Sequence, residues 1–193
     1  MKNIVFDLGG VLFARDKSKC TPELLEFFSF LRAPRMPLFW EEYDRGTSTL
    51  EEVTATISGM TGRPVETCAA VLRLAVDLQE PVKPTERLVG DLKAAGYRLY
   101  VLSNMSREFI DFLRRFPVYG LFDGEVVSCE EHTVKPEPRI YEILLERYGL
   151  TPSETLFIDD REMNIEAAAA LGIHGFVLDR KSTRLNSSHS AVS

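Results

Sequence analysis

Four short apolar runs, each ending in polar or acidic side chains, set the strongest limit on what this chain can fold into. The first is Asn3-Ile-Val-Phe-Asp7, followed at once by Leu8 and the pair Gly9-Gly10. The others are Arg98-Leu-Tyr-Val-Leu-Ser-Asn104, Gly124-Glu-Val-Val-Ser-Cys129 and Thr155-Leu-Phe-Ile-Asp-Asp160. Runs of this length and composition are the pattern of strands buried on both faces. Between and after them lie helical stretches: Thr85 to Ala95, Arg107 to Arg115, Pro138 to Tyr148, and Asn164 to Leu171. Gly96, Gly149 and Gly172 stand where three of these helices must stop, and the last leads into a short strand, His174 to Leu178. Strand and helix in alternation predict an α/β chain, a parallel sheet covered on both faces.

Residues from about Asp16 to Glu80 break the alternation. They carry helical patterns at Pro22 to Arg32, Leu38 to Tyr43, Leu50 to Met60 and Val65 to Leu78, with no convincing strand. An all-helical insert directly after the first strand predicts either a lid over the rim where Asp7 sits or an extra helical layer on the core. From Arg180 to Ser193 the chain turns polar, serine-rich and cationic, with no acid and no periodicity. That composition predicts a disordered or non-native tail. The expected division is residues 1–15 and 81–179 as core, 16–80 as helical cap, and 180–193 as tail.

At 193 residues the chain can bury a substantial core with one insertion. A formal charge of −6 and the lack of a basic stripe argue against nucleic acid or an anionic membrane surface as partner. No apolar run spans a bilayer, and a strand starting at Asn3 leaves no room for a leader, so a cytoplasmic location is expected. Cys20, Cys68 and Cys129 are odd in number and lack metal-ligand spacing, which predicts free thiols. Monomer and homodimer stay equally open.

Parallel sheets place ligands beyond the carboxyl ends of their strands, so Asp7, Ser103, Asn104, Asp159 and Asp160 should meet on one rim. Three carboxylates in a dry cluster repel one another unless a hard cation such as Mg²⁺ sits among them. Lys135, on a loop stiffened by Pro136 and Pro138, can bring a second positive charge. The set suits a carboxylate that attacks phosphorus to form an aspartyl-phosphate, which water then hydrolyses. Cation and lysine would neutralise the transferring group, and the Ser103 hydroxyl with nearby amides would bind its oxygens. Each residue also has an ordinary use: Asp7 as a turn former, Ser103-Asn104 and Asn164 as helix caps, Asp159 as an orienting partner of Lys135. In the insert, Trp40, Tyr43 and Asp44 can face a substrate, although aromatic packing is the commoner use of such a cluster.

Over about Met1 to Leu178 the chain resembles the haloacid dehalogenase superfamily. Four motifs carry the resemblance, in order: Phe6-Asp-Leu-Gly-Gly-Val-Leu12, Val101-Leu-Ser-Asn104, the lysine of Val134-Lys-Pro-Glu137, and Phe157-Ile-Asp-Asp-Arg-Glu-Met-Asn164. Within the superfamily the chain is most similar to the group that includes bacterial sugar-phosphate phosphatases and the N-terminal domain of soluble epoxide hydrolases. The resemblance implies a Rossmann-like parallel sheet core with an inserted α-helical cap. It implies Asp7 as nucleophile, Ser103 and Asn104 as phosphate binders, and Lys135 as the stabilising cation that also binds phosphate. It further implies Mg²⁺ held by Asp7, the Gly9 carbonyl and Asp160, with Asp159 and Asn164 in support.

Most phosphatases of this superfamily carry a second aspartate two residues after the nucleophile, where this chain has Gly9. That aspartate protonates the leaving oxygen and later activates water, help worth about a hundred- to ten-thousand-fold. His132 and Val134 likewise stand where relatives often carry glycine and arginine. The expected function is a slow Mg²⁺-dependent phosphatase of a small phosphorylated metabolite, sugar phosphates included. The alternatives are a metal-independent 2-haloacid dehalogenase, opposed by the paired Asp159 and Asp160, and a phosphate-binding protein with little turnover.

Overall fold

The computed structural model describes residues 1–32 and 36–178; the tail expected at 180–193 lies outside the described residues. Seven strands are described: β1 (Asn3–Phe6), β2 (Phe13–Arg15), β3 (Gln79–Pro81), β4 (Arg98–Ser103), β5 (Gly124–Val127), β6 (Thr155–Asp159) and β7 (His174–Val177). Five form one sheet in the order β5-β4-β1-β6-β7, every neighbouring pair parallel. The order reverses at β1, which is where an open α/β sheet splits to form a ligand crevice.

Side chains alternate between the two faces because successive residues of a strand point in opposite directions. Ile4, Phe6, Leu99, Val101 and Val127 pack on one face beneath α5 (Lys83–Ala94) and α6 (Arg107–Leu113), with Val89, Ile110 and Leu113 fully buried against them. Val5, Tyr100, Leu102, Val126 and Phe157 occupy the other face. There they meet Ile140, Tyr141 and Leu144 of α8 (Pro138–Tyr148) and Ala168 of α9 (Glu162–Ala170). Both faces are therefore covered, as the strand–helix alternation predicts. The last strand is the exception: β7 lies at the sheet edge, and Phe176 and Val177 are exposed.

Four helices interrupt the core: α1 (Pro22–Phe27), α2 (Leu38–Arg45), α3 (Leu50–Thr61) and α4 (Val65–Asp77). They share their own apolar cluster, built on Leu24, Phe27, Phe28, Trp40, Tyr43, Val53, Ile57 and Leu72, with Phe109 of α6 joining it. Local signals define them well. Thr49 and Glu52 cap α3 reciprocally, and Gly46 and Gly62 end α2 and α3 in left-handed conformation. One expectation fails here. The insert contains β3, which pairs antiparallel with β2 in the register Ala14↔Glu80 and ties the insert's two ends together. Gln79-Glu-Pro81 is polar and contains proline, so nothing local announces a strand; the pairing is made by a partner some 65 residues earlier. The run at Gly124 also ends earlier than its apolar pattern suggests, with Ser128–Glu131 forming a short helical turn, α7.

The insert is fastened where α2 meets the core. The Arg45 guanidinium donates to both Glu137 oxygens at 2.9 and 2.7 Å, and Ser128 Oγ donates to the Asp44 carbonyl. Tyr43 donates its hydroxyl to Glu108 at 2.5 Å. Gly46, at φ +74°, lies so close to α7 that an added Cβ would stand 2.5 Å from the Cys129 carbonyl oxygen. Cys20, Cys68 and Cys129 are free, as expected.

Candidate active site

Register delivers the polar strand ends to one rim. Phe6 lies opposite both Val101 and Ile158, so Asp7, Ser103 and Asp159 emerge together at the carboxyl edge. Leu8, Gly9 and Gly10 then turn the chain sharply: the amides of Val11, Leu12 and Phe13 all donate to the Leu8 carbonyl at 2.8 to 3.1 Å. Gly10 sits at φ +80°, and a Cβ there would lie 2.3 Å from Asp160 Oδ2. Only glycine lets Asp160 come so near this turn.

Lys135 is the hub of the rim. Its side chain is 2% exposed, and its ammonium reaches Asp159 Oδ2 at 2.6 Å, Asp7 Oδ1 at 2.9 Å and the Leu102 carbonyl at 3.0 Å. An ammonium has three protons, so its donors are fully engaged. Ser103, wholly buried, donates its hydroxyl to the same Asp7 oxygen at 2.8 Å. Asp159 accepts from Lys135, from both-oxygen contacts with Asn164 Nδ2 at 3.0 Å, and from the Arg161 amide at 2.8 Å. Asn164 thus orients Asp159 from the first turn of α9, where Arg161 and not Asn164 is the cap.

Asn104, expected as a phosphate binder, lines the cavity beside Asp7 and also grips the lysine loop. Its Oδ1 accepts from the Lys135 amide at 2.7 Å while its Nδ2 donates to the Lys135 carbonyl at 2.9 Å. One bond at each end of the amide holds the lysine loop, so the side chain has a positioning part. His132 precedes that loop with φ 54°, the one non-glycine among the described residues with positive φ. Glycine takes this conformation without steric cost, and histidine does not.

Burial and charge compete at these groups. Burial raises the Asp7 carboxyl to about 6; Lys135 pulls it down and Asp159 pushes it up. Burial works against the Lys135 charge too, but the carboxylates of Asp159 and Asp7 outweigh it and hold the lysine above its ordinary value. The rim therefore carries a charged lysine between two acids, with a third acid beside them.

That third acid bears on whether a cation fits. Asp7, Asp159 and Asp160 each offer an oxygen within 4.8 Å of the others. Asp159 is already saturated by Lys135, Asn164 and the Arg161 amide. Asp7, Asp160 and the adjoining Gly9, which line one cavity of about 380 Å³, would then be the donors for a hard, oxygen-seeking ion such as Mg²⁺. The residues present fit the group.

The same cavity is lined from the insert by Met36, Glu41 and Asp44, and from the core by Arg161 and Met163. The sequence offers Asp44 only as one of a cluster with Trp40 and Tyr43. The cluster it belongs to divides: Trp40 and Tyr43 are buried in the insert's apolar core, whereas Asp44 faces the rim. Its carboxyl rises to about 7, chiefly through burial and then through the charge of Asp7, against a lowering hydrogen bond from the Ser106 amide. A carboxylate one residue before the Arg45-Gly46 helix end was the available signal. A second cavity, of about 600 Å³, adjoins the first and shares Gly9, Met36, Asp44, Asn104, Asp160 and Arg161 with it.

The chain is similar to the sesquiterpene phosphatase astK of Aspergillus oryzae, 29% identical over 178 residues that cover 92% of this chain and 89% of that protein. It is similar to the D-ribitol-5-phosphate phosphatase of Bacteroides thetaiotaomicron, 28% identical over 91% of each protein. The crystal structure of a haloacid dehalogenase family enzyme from that bacterium, in complex with magnesium and inorganic phosphate, superposes with a TM-score of 0.73. It is 28% identical and covers 93% of this chain and 94% of its own. The family model for haloacid dehalogenase-like hydrolases matches residues 1–172, and the chain belongs to that family.

Proposed function

We propose that the protein is a Mg²⁺-dependent phosphatase of small phosphate esters, sugar phosphates among those to be tried, acting through an aspartyl-phosphate on Asp7. The observation that carries this reading is the Lys135 ammonium bridging Asp7 and Asp159 beside Asp160 at a cavity floor. In the first step an Asp7 oxygen attacks phosphorus and the ester oxygen leaves with its electron pair. Lys135 neutralises charge near the transferring group, and Ser103 aligns the attacking carboxylate and offers its hydroxyl to the phosphoryl oxygens. Mg²⁺, held by Asp7, Asp160 and the Gly9 carbonyl, would supply further charge neutralisation on the phosphoryl group. In the second step water attacks the phosphorus of the aspartyl-phosphate, releasing inorganic phosphate and restoring Asp7.

Proton transfer needs a partner that Gly9 cannot be. Asp44, across the cavity from Asp7, is our assignment: it gives a proton to the departing oxygen and takes one from the attacking water. Two full-length relatives bear phosphatase names, which supports the reaction class. The test is phosphate release from a panel of esters with Mg²⁺, and the beryllofluoride adduct on Asp7. Release that needs Mg²⁺ and falls by about a thousand-fold or more in Asp7→Asn is the expected outcome. Metal-independent halide release from a 2-haloacid, without phosphate release, would replace this reading with a dehalogenase.

A further inference from the structure

The second cavity differs in character from the rim it joins. Its walls beyond the shared residues include Phe13 of β2, Leu25 of α1 and Phe28 just after it, Trp40 of α2, and Met105 and Phe109 from the segment after β4. Among the described residues Arg15, Gln79 and the Cys20 thiol line it away from the rim, and each has a neighbour: Arg15 lays its guanidinium over the Phe28 ring, 4.5 Å from the centroid, Gln79 donates its amide to the Ala75 carbonyl, and Cys20 donates to the Asp16 carbonyl. At about 600 Å³ the space is that of a small-molecule pocket. It is continuous with the phosphate-reacting rim and lies between insert and core, where the alcohol half of an ester held at Asp7 would extend.

We infer that this chamber takes the alcohol part of the substrate, and that this part is a hydrocarbon, aliphatic or terpenoid, in place of a sugar. The inference rests on the phosphatase reading and narrows it. A polyol placed among phenylalanine, leucine, methionine and tryptophan side chains would lose its water and find few hydrogen-bond partners in exchange. A hydrocarbon there loses only unfavourable contact with water, and each buried methylene should strengthen binding about three- to fourfold. Met36 lines both rim and chamber while Trp40 lines the chamber alone, so phosphate and hydrocarbon would be read by different walls of one site.

The test has two arms on the intact protein with Mg²⁺. The first measures kcat/KM for primary alkyl monophosphates from ethyl to decyl, a terpenyl monophosphate, and ribose, ribitol and glucose phosphates. The second measures, by calorimetry, binding of non-hydrolysable alkylphosphonates of the same lengths. The chamber predicts that both kcat/KM and affinity climb about three- to fourfold per methylene until the space is full, with the sugar phosphates well below the long alkyl esters. Leu25, 42% exposed and outside the reacting rim, can change without threatening the fold. Leu25→Glu should lower long-chain affinity about tenfold or more and affect the ethyl ester far less. Flat dependence on chain length in both arms, or a preference for the sugar phosphates, overturns the inference. Should no ester be hydrolysed while phosphonate affinity still climbs with length, the phosphatase reading falls and the chamber stands.

Discussion

Lys135 and Asp44 show how single side chains set the chemistry of this rim. With all three ammonium protons engaged, Lys135 cannot swing away without stranding two buried acids, Asp7 and Asp159. Breaking a buried pair by removing one partner typically costs about 3–5 kcal/mol, so the lysine is as much a structural tie as a charge. Asp44 carries the opposite kind of risk: it is half-buried near like charge and holds its proton up to about pH 7. Asp44→Asn should therefore leave the metal-free fold no less stable while lowering turnover about a hundred- to ten-thousand-fold. The loss should be greatest for alkyl esters, whose leaving oxygen needs a proton, and smallest for nitrophenyl phosphate. Gly9→Asp in that background should recover part of the rate, because the nearest atom to a Cβ at position 9 is Met105 Cε at 3.6 Å. Equal losses on both leaving groups would remove Asp44 from proton transfer.

At the scale of elements, α2 decides what the insert presents to the core. Its last turn is locked by Arg45 on Glu137, by Ser128 on the Asp44 carbonyl, and by the close passage of Gly46 over α7. These contacts fix the helix rotation that buries Trp40 and Tyr43 and turns Asp44 to the rim. Gly46→Ala would set a Cβ against a backbone oxygen in a left-handed conformation. The left-handed geometry alone costs about 1–2 kcal/mol, and the clash adds to it. We expect urea unfolding to report a loss of at least about 2 kcal/mol, with phosphate release impaired as α2 lifts. Unchanged stability would mean that α2 is not fastened at this turn. The β2–β3 ribbon makes the complementary tie at the insert's other end.

For the molecule as a whole, stability and pH are linked through acids whose carboxyls shift in opposite directions. Asp7 at about 6 and Asp44 at about 7 hold protons more tightly than their usual value of 3.8. Unfolding therefore releases protons between pH 4 and 7, so the metal-free fold is favoured below that window and loses stability as pH rises through it. Glu137, lowered to about 2 by Arg45, works the other way and weakens the fold as pH falls below about 4.5. Metal-free protein should melt highest near pH 5 and lose on the order of 3 kcal/mol by pH 8. Mg²⁺, which favours ionised Asp7, should reverse that decline, and thermal melts at pH 5 and pH 8 with and without Mg²⁺ check it. A metal-free melting temperature that rises from pH 5 to pH 8 would contradict the raised carboxyls.

The rim acids and the lysine were legible in the chain because strand ends and glycine turns are local patterns, and a parallel sheet must bring strand ends to one edge. The same held for α3 and α8, whose caps lie within a few residues of their termini. Asp44, the β2–β3 pairing, the loop-holding task of Asn104 and the apolar chamber were not legible. Each depends on contacts between segments far apart in sequence: Asn104 with Lys135, Ser128 with Asp44, Ala14 with Glu80. Periodicity states that a helix has a buried face but not which neighbour buries it. Hence the sequence by itself determined the sheet, its order of chemistry-bearing strand ends and the family, through short-range pattern. Tertiary packing alone decided which side chains of the insert line the cavity at Asp7 and what kind of space lies beside it.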